Sequence, residues 1–199
     1  MEYQKFKELV ISRAQELGLE EYELYYQMEE SVIANAFGHE IDRFSANNAG
    51  GVCFRCIVNG KMGYAATQRL DAQQAQQIVS MAVENSKSLE SEEPVFLASG
   101  GQKYAQVAPG PCDFPTTDAL ISKVLQTQEA LYAADPCVVE GSTSRAVAER
   151  VRTAICNSKG LDVSSDHVLS ALMVNAVVQS DGEKVNDYQL KLDRLENID

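Results

Sequence analysis

Residues 49–68 read AGGVCFRCIVNGKMGYAATQ, and the Asn59-Gly60 step inside that stretch decides the fold. Asn-Gly between two strand-like runs predicts a hairpin, because a two-residue type I′ turn needs positive φ at both positions. Gly50-Gly51 opens the first run. Val52, Phe54, Cys56 and Val58 then share one wholly apolar face, which should be buried, and Cys53, Arg55 and Ile57 share the other. Arg55 is the one charge on that second face, a residue to be solvated or ion-paired.

Working outward, Phe6, Leu9, Val10, Ala14 and Leu17 recur at helical spacing, with Gly18 as terminator, so a helix is expected over about residues 2–17. Tyr22, Leu24, Tyr26 and Met28 alternate with Glu23, Tyr25, Gln27 and Glu29 as a strand. Two further strands, 31–37 and 40–45, flank a tight turn at Gly38-His39. Asp71, followed by Gln74, caps a second helix whose face runs Ala75, Ile78, Val79, Ala82, Ser86, Leu89. It ends at the acidic run Glu90, Glu92, Glu93.

Residues 93–115 crowd prolines and glycines together and read as a connector, with room only for short extended pieces at 95–97 and 103–107. Beyond them the order of elements repeats. Thr117 caps a helix to Ala134. Strands are expected over 138–142, 146–156, 161–166 and 167–180, with a second hairpin turn at Asp181-Gly182. The fold class is therefore α+β: antiparallel sheets covered by helices, in two similar helix–strand–hairpin halves, 1–92 and 116–199. The strand 168–178 is apolar on both faces, so it should be covered twice, and the chain is expected to associate through its sheets.

Composition limits function. The chain has 199 residues, ordinary apolar content and a formal net charge of −12, a field that repels nucleic-acid phosphates. Direct nucleic-acid binding is not expected. The N-terminus lacks the apolar core of a signal peptide, and no apolar run nears membrane-spanning length. Five scattered cysteines do not read as a disulfide framework, so a cytoplasmic chain with reduced thiols is expected.

Motifs for self-sufficient chemistry are missing. His39-Glu40 begins like a zinc-peptidase helix, but Arg43 and Phe44 stand where a second histidine would be needed. His39 reads as a turn residue. Cys53-x-x-Cys56 would place its sulfurs on opposite faces of a strand, which suits two small buried hydrophobes better than a metal knuckle. No nucleophile elbow or nucleotide-binding loop occurs. His167 sits at a strand start, where a hydrogen-bonded surface histidine is expected. Asn157-Ser158-Lys159-Gly160 could donate amides to an anion, although such segments are mostly only turns.

Gly51-Val52-x-x-Arg55, Asn59-Gly60, Gly63 and Ala65-Ala66-Thr67 resemble the N-terminal region of the TldD/PmbA family, metallopeptidase subunits also described as modulators of DNA gyrase. Glu21-Tyr22-Glu23-Leu24-Tyr25 and Ser31-Val32 extend the resemblance. Asn157-Ser158-x-Gly160, Asp181-Gly182 and Asp187-Tyr188 look more like the PmbA-type sister subunit. The family's His-Glu-x-x-x-His lies in a later domain with no counterpart in these residues. The resemblance therefore assigns no catalytic or metal-binding residue here, and zinc belongs to the full-length family.

Two functions follow as expectations. In the first, the chain is the N-terminal region of a peptidase-complex subunit. It shapes the substrate chamber and subunit contacts, and acts in proteolysis of small or unfolded peptides with a sister subunit or a second copy. In the second, it is a non-catalytic module that pairs an extended peptide or protein segment with a free sheet edge. Arg55, Asn59, Gly60, Asn157 and Gly160 are the candidates to face substrate or partner.

Overall fold

Asn59 and Gly60 both take positive φ, 53° and 76°. They join β2 (Glu40–Val58) to β3 (Lys61–Thr67) by the expected two-residue turn. Val52 stands opposite Thr67, Phe54 opposite Ala65 and Val58 opposite Lys61. Asp181 and Gly182 repeat the device, with φ of 52° and 84°, between β5 (Asp162–Ser180) and β6 (Glu183–Asp193). With β1 (Glu21–Phe37) and β4 (Thr143–Asn157) these strands form one six-stranded sheet, in the order β3-β2-β1-β4-β5-β6. The computed structural model describes residues 1–90, 93–104 and 113–198. Part of the expected connector, including most of the piece at 103–107, and Glu92 of the acidic run lie outside them.

The class is α+β, as the sequence implies, with one sheet in place of several. The expected breaks within it are closed. Strands at 22–28 and 31–37 are one strand, β1, and 40–45 continues through Gly50-Gly51 into the hairpin as β2. The glycines do not start a strand. They sit where neighbouring backbones come close: a Cβ on Gly50 would lie 2.2 Å from the Gln27 carbonyl oxygen, and one on Gly51 2.4 Å from that of Thr67. Strands 161–166 and 167–180 likewise merge into β5. The stretch 138–142 forms no strand. Val138 makes a single bridge to Val178, and Ser142 closes a turn on Val139.

Compactness groups the residues differently from their order in the chain. One unit comprises residues 1–28, 49–108 and 152–165, the other 29–48, 109–151 and 166–199, so β1, β2, β4 and β5 contribute to both. In the first unit, α1 (Tyr3–Glu16) buries Phe6, Val10 and Ala14, and Gly18 beyond it takes φ 68°. The second helix, α2 (Ala72–Lys87), is capped as expected: the Asp71 carboxylate accepts the Gln74 N–H at 2.8 Å. Their apolar faces close over Leu24, Val52, Phe54, Cys56 and Ala65. Gly63 lets β3 meet α2, since a Cβ there would lie 2.0 Å from the Ala82 carbonyl oxygen.

In the second unit, α3 (Thr117–Ala134) is capped by Thr116 rather than Thr117, through Oγ1 accepting the Ala119 N–H at 3.2 Å. Leu120 and Val124 of this helix pack with Ala34, Ala36, Ala146 and Ala148, small residues that leave room for them. Leu172, Leu195 and Ile198 complete the cluster. The strand expected to need outside cover is largely β5, an inner strand lying between β4 and β6.

Candidate functional site

The helix-free face of β2 carries Arg55, which is 39% exposed and paired across the strands with Glu23. Glu23 is only 2% exposed. Sequence reasoning placed it on the strand face opposite Leu24 but gave it no role, because its partners come from distant parts of the chain. Arg55 Nη2 pairs with Glu23 Oε1, and Asn157 Nδ2 donates to Glu23 Oε2 at 3.1 Å. Each oxygen of the buried carboxylate therefore has its own partner, as a polar group taken out of water requires.

Asn157 owes its position to the turn it closes. Its Oδ1 accepts the N–H of Lys159 at 3.0 Å and of Leu161 at 3.1 Å, and its Nδ2 also donates to the Ala98 carbonyl at 2.8 Å. Asparagine fits because its side chain both accepts and donates. Gly160, at φ 80°, completes the turn. The Gly100 N–H donates to the Lys159 carbonyl at 3.0 Å, and a Cβ on Gly100 would lie 2.0 Å from the Gly160 carbonyl oxygen. Residues 98–100 therefore sit directly on the turn. Tyr22 and Ser158 bond reciprocally, and Lys159 pairs with Glu21 at 2.7 Å.

Two hollows open on this face. Glu23, Tyr25, Cys53, Arg55 and Ile155 line one of about 270 Å³. Tyr25 and Cys53 also line the next, of about 410 Å³, with Gly50, Gly51, Thr67 and Gln68. Burial pushes the Cys53 thiol up, the Glu23 carboxylate adds to the rise, and the Arg55 charge only partly offsets them. Cys53 is thus a neutral thiol near pH 7, a poor nucleophile. The exposed part of the Arg55 guanidinium remains able to donate to a carbonyl or carboxylate.

The structure brings together Arg55 and Asn157, through Glu23, with Gly160 in the supporting turn. Asn59 and Gly60 stand at the hairpin end of β2 and take part in none of these bonds. His39 lies in the tight turn after β1, its ring 5.7 Å from that of Tyr132. Cys56 is buried on the helix side of β2 and Cys53 lies on the other. Among the described residues the four cysteines are free thiols, and no group of three or more His, Cys, Asp or Glu side chains could hold a metal ion. No helix among them is long and apolar enough to cross a membrane.

The family model described as PmbA/TldA metallopeptidase domain 1 matches residues 22–86, and that of the PmbA/TldA metallopeptidase central domain matches residues 110–197. No curated protein matches significantly. Among solved structures, a proposed modulator of a DNA gyrase from Thermotoga maritima superposes with a TM-score of 0.87 at 18% identity, over 100% of this chain and 45% of that one. TldE from Thermococcus kodakarensis gives 0.80 at 16% identity, over 94% and 42%. A proposed modulator of DNA gyrase from Bacteroides thetaiotaomicron gives 0.76 at 13% identity, over 95% and 44%. At these identities the structures speak for the fold alone, and the chain spans less than half of each. With two of the family's domains matched in succession over most of its length, the chain belongs to the PmbA/TldD metallopeptidase family.

Proposed function

We propose that the chain frames the substrate path of a peptidase-complex subunit without supplying the bond-breaking groups. It helps shape the chamber and the subunit contacts in proteolysis of small or unfolded peptides, next to a sister subunit or a second copy. The observation that carries this reading is the match, in order, to the family's first and central metallopeptidase domains. The motifs at 157–160, 181–182 and 187–188 favour the PmbA-type subunit within it. Arg55 faces peptide carbonyls or carboxylates, Asn157 and Gly160 hold its partner Glu23 in place, and Asn59-Gly60 presents the hairpin tip to a neighbouring subunit. Reduced thiols suit a cytoplasmic setting.

The test is reconstitution. The full gene product and a sister subunit, mixed, should hydrolyse an unstructured peptide in a chelator-sensitive way, and omission of this protein should abolish or strongly reduce the rate. Hydrolysis equally fast without it would overturn the reading. The exposure of β6 along its whole length favours a second reading, a module that adds a peptide strand to its sheet edge. Tight peptide binding by residues 1–199, with no contribution to hydrolysis, would establish that one instead.

A further inference from the structure

β6 is the outer strand of the sheet in the second unit, and every one of its residues is exposed. Among the described residues no strand pairs with its outer side, and the backbone groups that face outward can be identified. On β5, the Val177 carbonyl accepts from Val139 and the Gln179 N–H donates to the Cys137 carbonyl, so these odd-numbered positions turn away from β6. The intervening residue, Val178, therefore bonds its opposite number Val185. The register runs unbroken from Ser180–Glu183 to Ser170–Asp193. Alternation then directs the N–H and C=O groups of Asn186, Tyr188, Leu190 and Leu192 outward. The same four side chains share the face opposite Leu172, which packs against α3. Tyr188, Leu190 and Leu192 are large apolar groups in water there.

Outward-facing backbone groups at a sheet edge can accept another strand, and the charges on this one select which strand. Only even-sum antiparallel registers set outward-facing residues against outward-facing residues. Gln189 on a two-fold axis places Asp187 opposite Lys191 twice and Tyr188 opposite Leu190 twice. The alternatives pairing seven or more residues do worse. An axis at Asp187 opposes it to itself, an axis at Tyr188 opposes Glu183 to Asp193, and an axis at Leu190 opposes Asp187 to Asp193. An axis at Asn186 pairs no opposite charges.

We propose that β6 pairs antiparallel with β6 of a second copy about a two-fold axis at Gln189, extending the sheet across the dimer. Tyr188 and Leu190 of both copies then gather on the helix-free side, and the Asp187–Lys191 pairs form on the side of α3. Such an interface is isologous, so each substitution acts twice. The proposal depends on the edge and not on the peptidase reading, so either can fail alone.

Sedimentation of the full chain over a wide concentration range tests it. A monomer–dimer equilibrium is expected. Lys191→Asp or Asp187→Lys alone should weaken it by about tenfold or more, while the double exchange should restore it. Leu190→Pro, which removes an outward-facing N–H and no bond to β5, should leave only monomer. Circular dichroism confirms folding, and the charge variants keep the test decisive if the proline variant does not fold. A strictly monomeric chain would overturn the proposal. So would a dimer indifferent to the charge variants, or an edge that pairs only with an added extended peptide.

Discussion

Arg55→Ala removes the cation facing a carboxylate that is 2% exposed, leaving Glu23 with the Asn157 amide as its remaining bonded partner. Breaking a fully buried ion pair costs roughly 3–5 kcal/mol, whereas exposed pairs are worth about 0–1 kcal/mol. Glu23 belongs to the first class, but the guanidinium is 39% exposed, and water can partly replace it. The expected loss is therefore about 2–4 kcal/mol, between the two limits. Urea denaturation followed by far-UV circular dichroism suits a chain without tryptophan. Glu23→Gln should lose about 1–3 kcal/mol, because Arg55 and Asn157 bond separate oxygens and the new NH2 would face one of these donors. Combined with Glu23→Gln, Arg55→Ala should cost far less than it does alone. A loss below about 0.5 kcal/mol for Arg55→Ala, or additivity in the double variant, would refute a buried carboxylate held by these partners.

Phe54→Ala, at a fully buried position, should cost roughly 3–5 kcal/mol in the same assay. Gly63→Ala should destabilise by about 1–3 kcal/mol, since the new methyl meets the backbone of α2, and hydrogen exchange in residues 82–86 should quicken. Burial pushes the Cys56 thiol from 9.0 up to about 11, so the folded state favours the neutral form. Its contribution is complete below the unfolded thiol value and is lost as pH rises through about 11. Stability relative to Cys56→Ala should therefore fall across that alkaline interval, and a constant difference would contradict the assignment.

The hairpins were legible because Asn59-Gly60 and Asp181-Gly182 specify a turn from two adjacent residues. The same local logic failed at Gly50-Gly51, where the glycines answer to carbonyls of Gln27 and Thr67 on neighbouring strands. The helix faces were readable from spacing, and the cap of α3 was misplaced by only one residue. Arg55 could be marked as unusual on its strand face. Its partner could not be found, because the link from Glu23 to Arg55 and Asn157 depends on strand neighbours and on a turn far along the chain. Nor does periodicity reveal that long strands divide their residues between two compact units.

The proposal that the chain frames a peptidase's substrate path without carrying its chemistry is tested most directly by giving residues 1–199 alone an unstructured peptide and zinc. Cleavage is followed by mass spectrometry and metal binding by titration. The expected result is an uncleaved peptide and zinc held no more tightly than by a generic acidic surface. Stoichiometric zinc, with chelator-sensitive cleavage by these residues alone, would contradict the account.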